Sequence, residues 1–375
     1  MAIMKFICRN CNREYPEDEL RWRCDCGGYL MADYSAPISK EDIKADRFNM
    51  WRYDTAYPIS YEELSVTFDE GLTPLVKVPD SPCRLRAKMD NLMPTGSFKD
   101  RGTVMVVNYL LKHGVTQITE DSSGNAGASV AGYCALGKID CEIYIPKGTS
   151  YGKTVQIRSY GAKVHEVEGT REAVAAAAQK RSRSYAGHNW HPLFIEGTKS
   201  LAYELWEQNH FEAPENIVAV AGNGSTILGL YYGFKNLLDN RQIEKMPRLF
   251  AVQALNCNPI YRMYKGIAAG QPFAKTVAEG IALAAPNKGM LVVNAVRDTG
   301  GEVLCADESE IVAALKETAA QGFFVEPTSA TAYAGIKQLA ARGVLGRQDD
   351  VIMIVSGNGL KASVEITELY KKGVD

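Results

Sequence analysis

Short apolar runs alternate with amphipathic ones along most of the chain. Residues 84–89 (RLRAKM), 141–146 (CEIYIP), 162–168 (AKVHEVE), 216–222 (NIVAVAG), 248–254 (RLFAVQA) and 351–357 (VIMIVSG) are short, apolar or alternating, and bounded by turn-forming residues. That is the pattern of strands. Between them lie Ala-rich or helically spaced stretches, among them 171–184 (REAVAAAAQKRSRS), 197–208 (GTKSLAYELWEQ), 308–322 (ESEIVAALKETAAQG) and 329–343 (SATAYAGIKQLAARG). Repeated alternation of strand and helix predicts an α/β protein whose parallel sheets are covered by helices on both faces, the doubly wound arrangement. Residues 36–70 are different, polar and aromatic with helix-like patches such as SKEDIKADRF, and they lead into EGLTPLVKVPD.

Length and charge narrow the function. A chain of 375 residues accommodates two or three domains at ~100–200 residues each. Lys and Arg number 42 against 44 Asp and Glu, a net charge of -2, so no positive field favours nucleic acid. No window approaches the ~18 apolar residues of a membrane helix. The start, MAIMKFICRN, lacks the charged segment, apolar core and cleavage site of an export signal. A soluble, cytoplasmic protein without nucleic-acid or membrane partners is expected.

The cysteines point to a metal. Of nine, Cys8 and Cys11 form one close pair and Cys24 and Cys26 another, while the rest are scattered. Two thiolate pairs can complete a tetrahedral site, and the glycines of CDCGG let backbone amides turn toward the sulfurs. The pattern reads as a four-cysteine zinc ribbon over residues 1–34, the alternative being four reduced thiols in a metal-free knuckle. Catalytic zinc is disfavoured, because cysteine would fill every position and leave none for water.

Four strand-to-helix junctions are rich in Gly, Ser and Asn: PTGSFKDRG (94–102), EDSSGNAGAS (120–129), AVAGNGSTILG (219–229) and IVSGNG (354–359). Helix starts of this composition offer unpaired amides to anions, at the strand ends where α/β sheets bind ligands. None is a nucleotide fingerprint, for the chain has no GxxxxGK[ST] and 222–229 does not fit GxGxxG. Together they predict an anionic ligand.

These segments, with VEPTSA (325–330) and SGNGLK (356–361), resemble in order the site segments of fold-type II pyridoxal-phosphate (PLP) enzymes, and most nearly those of threonine synthases. The likeness runs from about residue 70 to the C-terminus, and the cysteine-rich start resembles the zinc-ribbon extension of some members. It implies two doubly wound parallel-sheet domains with the PLP cleft between them, plus the ribbon. The division expected is 1–34 for the ribbon, 35–105 with 195–375 for a large PLP-binding domain, and 106–194 for a small mobile one. A homodimer is expected.

The resemblance also assigns roles. Lys99, at a helix start that disfavours its charge, would be the Schiff-base lysine and proton shuttle. Asn125 would lie beside the phenolic oxygen of PLP, with Ser122, Ser123 and Gly124 on the substrate carboxylate. Gly222, Asn223, Gly224, Ser225 and Thr226 would form the phosphate cup. Ser356 would meet the pyridine nitrogen, where a neutral hydroxyl favours elimination and replacement over transamination. The activity implied is conversion of O-phosphohomoserine and water to threonine and phosphate.

The substrate side departs from the pattern. Threonine synthases commonly carry NPTGSFKDRG and a segment like SxNPxRxEGxKT; here Met93 precedes Pro94, and the second segment is NWHPLFIEGTKS (189–200). Asn189 stands for the Ser, His191 for the Asn and Phe194 for the Arg that helps hold the substrate phosphate. Loss of a guanidinium forgoes ~1.5–3 kcal/mol per charge-assisted bond. Lys199, Lys153 or Arg181 are candidate replacements. His188 and His191 are either leaving-group contacts or packed, capping histidines, and Glu279 and Glu326 either lie near the ring or cap helices. Two alternatives therefore stand beside threonine synthesis: β-elimination or β-replacement on a serine-, phosphoserine- or hydroxyaspartate-like amino acid, and a non-catalytic ligand-sensing homologue.

Overall fold

Strands form where aliphatic side chains can be buried on both sides. In the computed structural model, which describes residues 4–34, 36–180, 182–268 and 272–371, the strands in chain order are β1 (Lys5–Cys8), β2 (Glu14–Pro16), β3 (Leu30–Asp33), β4 (Leu75–Lys77), β5 (Arg84–Lys88), β6 (Gln117–Glu120), β7 (Asp140–Pro146), β8 (Lys163–Val167), β9 (Asn216–Val220), β10 (Arg248–Ala254), β11 (Val303–Ala306) and β12 (Asp350–Ile354). Every run read as a strand from the sequence is one. The sequence reading named no strand at β1–β3, which it read only as a ribbon, or at β4, β6 and β11; all six are three or four residues long.

The chain divides into two compact units, Met1–Gly71 with Phe98–Ser200, and Leu72–Ser97 with Leu201–Asp375. The first contains the antiparallel sheet β2-β1-β3 and the parallel sheet β6-β7-β8. The second contains one sheet of order β11-β10-β9-β12-β5-β4, parallel except for β4, which runs antiparallel at the edge. Its inner strand β9 is buried at every residue, as a sheet covered on both faces requires. The helix Pro327–Ala341 packs on β9, β10, β11 and β12.

This grouping differs from the expected division, because residues 35–71, 98–105 and 195–200 group with 106–194 rather than with the large unit. The cause is a set of buried polar contacts. Glu70 accepts from Trp51 Nε1 at 2.6 Å and from Tyr133 Oη at 2.6 Å, and the Asn108 side chain accepts from the Ser65 and Val66 amides while donating to the Val66 carbonyl. Each of these groups would be costly to bury alone. The ribbon is anchored similarly, with Trp22 edge-on to Tyr185 at 4.9 Å and to Trp190 at 5.7 Å. Its expected interval, 1–34, contains all of β1–β3.

Candidate active site

Lys99 opens the helix Lys99–Lys112, whose N-cap position is held by Phe98 without a side-chain cap. The lysine is half-buried, and its Nζ lies 4.6 Å from the Phe98 ring centroid and 5.6 Å from that of Phe194. Two phenyl rings thus border the Lys99 amine. Phe194 fits because residue 102 is glycine: a Cβ there would come within 2.6 Å of the phenyl ring. The neighbours of Lys99 on the helix are locked, Asp100 accepting from Ser129 Oγ at 2.6 Å and Arg101 donating to Ser200 Oγ at 2.9 Å.

In the same unit, β6 ends at Glu120 and the helix Asn125–Gly137 begins five residues later, with Gly124 at its N-cap and again no side-chain cap. The Gly124 amide donates to Ser122 Oγ at 3.3 Å. Gly127 is required here, for a Cβ would sit 1.9 Å from the Ser122 carbonyl oxygen. Ser122, Ser123, Gly124 and Asn125 thus form a tight loop on the start of a long helix, where first-turn amides are available to a carboxylate.

The second unit carries the remaining groups. After β9 the chain passes through Gly222 and Asn223 to Gly224, which caps the helix Ser225–Asp239 at φ 95° with no side-chain cap. Glycine is required at 224, where a Cβ would lie only 2.1 Å from Val292 Cγ2, and one on Gly222 would press on Ile281 Cα at 3.3 Å. Asn223, Ser225 and Thr226 are buried. A cradle of backbone amides at the start of a 15-residue helix fits a phosphate without a cationic side chain. Ser356 follows β12, its Oγ 2.8 Å from Ser329 Oγ and 3.3 Å from Glu326 Oε1. Glu326 occupies the N-cap position of the helix Pro327–Ala341, yet its side chain makes no cap bond. Glu279 is exposed. Within this unit PTGS meets SGNGLK: Ser97 bridges Gly357, the Asn358 amide donates to the Gly96 carbonyl at 3.0 Å, and Lys361 Nζ to that of Thr95 at 2.8 Å.

The substrate-side residues are more varied. Lys199, expected as a cation for phosphate, is buried and its Nζ is 2.6 Å from Glu196 Oε2. Its charge is matched inside the fold, so a phosphate would have to compete with that carboxylate. Asn189 is half-buried beside His188, Lys153 is half-buried, and Arg181 lies outside the described residues. His191 is a packed, capping histidine, accepting from the Leu193 amide at 3.3 Å and meeting the Tyr109 ring at 5.3 Å.

The sequence reading missed two carboxylates at the end of β6. Glu120 faces His188 Nδ1 at 2.9 Å and accepts from the His188 amide at 3.2 Å, and Asp121 accepts from Tyr185 Oη at 2.6 Å. Burial, followed by the neighbouring charge of Asp121, pushes the Glu120 carboxyl well above its ordinary range. Their position at a strand's carboxyl end, directly before the SSGN loop, was the available signal.

At the N-terminus the Sγ atoms of Cys8, Cys11, Cys24 and Cys26 all lie within 4.8 Å of one another, with 3.5 Å between Cys8 and Cys26 and 3.6 Å between Cys11 and Cys24. Tetrahedral bonds of ~2.3 Å to one ion place sulfurs ~3.8 Å apart. The donor set therefore fits a metal ion, and the Asn10 amide already points at Cys8 Sγ at 3.4 Å.

Comparison with known proteins agrees with this arrangement. Residues 66–357 match the family described as pyridoxal-phosphate dependent enzymes. The chain belongs to that family. Among curated relatives, a threonine synthase of Methanocaldococcus jannaschii is 31% identical over 372 residues, 94% of this chain and 92% of its own length. That of Methanosarcina acetivorans is 32% identical over 374 residues, 94% and 91% of the two chains. Solved structures share the fold: maize serine racemase (TM-score 0.68, 22% identity, 80% of this chain and 92% of that one) and an L-serine ammonia-lyase from Rhizomucor miehei (0.69, 21%, 80% and 98%). This chain is thus a PLP-family enzyme with the α/β fold of fold-type II. Among the described residues no helix is long and apolar enough to cross a membrane.

Proposed function

We propose that this chain is a PLP-dependent lyase of the threonine synthase type, converting O-phosphohomoserine and water to threonine and phosphate. The observation that carries the reading is near full-length similarity to threonine synthases, 94% of this chain at 31% and 32% identity, together with a half-buried Lys99 against apolar rings.

Bound PLP supplies an electron sink conjugated to the α-carbon of the amino acid. The rest falls to the chain. Lys99 is the nucleophilic amine and, once released, moves the α-proton. The amides and hydroxyls from Gly222 to Thr226 hold the cofactor phosphate, Asn125 orients the phenolic oxygen, and Ser356 meets the ring nitrogen. Ser122, Ser123 and Gly124 take the substrate carboxylate, while Asn189 faces the substituent beyond it, with Lys199 available there only by release from Glu196. The cysteine cluster holds structural zinc, four sulfurs closing its shell. The protein acts in the cytoplasm as a homodimer.

A second reading, elimination from a β-hydroxy or β-phospho amino acid, is favoured by Phe194, which removes the charged clamp for a γ-phosphate. Purified holoenzyme offered O-phosphohomoserine, O-phosphoserine, serine and threonine, with phosphate, oxoacid and ammonia followed, separates the two. Phosphate and threonine from O-phosphohomoserine support the first. Ammonia and oxoacid from serine-like substrates alone would establish the second, and a Lys99→Ala variant with undiminished turnover would refute both.

A further inference from the structure

The pair formed by buried Glu120 and half-buried His188 is not used by the reading above, and it shares the Phe194 ring with Lys99. Three observations link it to the proposed reaction centre. The imidazole is edge-on to Phe194 at 5.9 Å, and Lys99 Nζ is 5.6 Å from that same phenyl ring. Glu120 is fully buried at the end of β6, and the Lys99 charge acts on it. The carboxylate grips His188 twice, through Nδ1 and through the backbone amide, although the residues are 68 positions apart in sequence. Such a grip fixes the orientation of the ring.

An anion contact is the competing role. Two buried acidic side chains, Glu120 and Asp121, stand at that strand end; neither offers a phosphate dianion a positive partner, whereas both can accept from an imidazolium. Resting on the assignment of Lys99 as the cofactor lysine, we propose that the Glu120–His188 dyad manages the proton of the oxygen atom at the substrate's β-carbon. In the synthetic direction, the oxygen of water bonds to an unsaturated β-carbon as the π pair of that double bond withdraws to the α-carbon, and the proton the water sheds passes to His188 Nε2 while Nδ1 stays bonded to Glu120. In the reverse sense, Nε2–H gives its proton to a β-hydroxyl as the carbon–oxygen bond breaks, the bonding pair leaves with oxygen, and water departs. A departing phosphate needs no such acid; a hydroxyl does. Microscopic reversibility makes one residue serve both the threonine synthase reading and β-hydroxy elimination.

The test uses cofactor-loaded enzyme and two variants. His188→Asn retains a donor for Glu120 but lacks Nε2, and His188→Ala leaves space for free imidazole. With O-phosphohomoserine, His188→Asn is expected to release phosphate within about threefold of the parent rate, while threonine formation falls at least ~100-fold and the difference emerges as oxoacid and ammonia. Imidazole should restore threonine formation to His188→Ala. In holoenzyme with 15N-labelled histidine, added threonine should shift the Nε2 resonance missing from His188→Asn. Equal loss of phosphate and threonine, no imidazole rescue and an unmoved Nε2 signal would overturn the proposal. If the parent acts on serine-like substrates instead, the threonine synthase reading fails, and the dyad is then judged by the same ~100-fold loss and rescue in ammonia release.

Discussion

Gly102→Ala gives a worked test of how Phe194 is seated beside Lys99. Alanine in a helix interior is worth about 1 kcal/mol over glycine, so at an unobstructed site this change stabilises. Here the new methyl would stand 2.6–2.7 Å from three atoms of the Phe194 ring, roughly 1 Å inside the ~3.5–4.0 Å of carbon contact. The ring is 1% exposed and has little room to retreat. Overpacking of that kind costs about 1–3 kcal/mol, so the net expectation is a loss of about 0–2 kcal/mol, or a Tm lower by up to about 8 °C at ~2–4 °C per kcal/mol. Phe194→Leu removes the obstructing ring edge at a cost under about 1.5 kcal/mol, and in the double variant the helix gain should reappear. The assay is a double-mutant cycle by thermal unfolding without cofactor, with an expected coupling of about 1–3 kcal/mol. Stabilisation by Gly102→Ala alone, or strict additivity with Phe194→Leu, would refute the packing described.

Three further outcomes follow from the same structure. Lys199→Ala should strand Glu196 as a buried unpaired carboxylate and lower stability by about 3–5 kcal/mol in thermal unfolding; unchanged stability with a raised KM for phosphorylated substrate would instead put Lys199 in the phosphate pocket. Burial pushes the Lys288 ammonium from 10.5 down to about 7, so the unfolded chain binds the extra proton between those values, and the stability penalty is full below about pH 7 and fades toward pH 10.5. Lys288→Met should therefore stabilise more near pH 6 than near pH 9.5, and a pH-independent difference in Tm would contradict that burial. Protein purified without chelator should carry one metal ion per chain by elemental analysis, lost in Cys24→Ser with faster amide exchange over residues 1–34; full occupancy in the variant would remove Cys24 from the ligand set.

What the sequence disclosed follows physical range. Strands β9, β10 and β12 were readable because strands buried on both faces must be uninterrupted apolar runs, and the four cysteines because two close thiol pairs at these spacings match a metal-ligand pattern. Strand β6 was hidden, for QITE contains two polar residues and a carboxylate whose burial depends on His188, far along the chain. Phe194 was visible as a departure from the family pattern, but its seat on Gly102 and its place beside Lys99 depend on tertiary contact. The Lys199–Glu196 pair, three residues apart on one helical stretch, was within reach of helical spacing alone. The grouping of 35–71 with 98–200 was not, since it rests on Glu70 and Asn108 satisfying buried polar groups at long range.

The most direct measurement of the central claim is the fate of oxygen when the holoenzyme converts O-phosphohomoserine in water enriched in oxygen-18. Elimination followed by hydration breaks the carbon–oxygen bond of the ester, so the label should enter the hydroxyl of threonine and be absent from the phosphate as released. Labelled phosphate accompanied by homoserine, or no threonine at all, would contradict a threonine synthase-type reaction at Lys99.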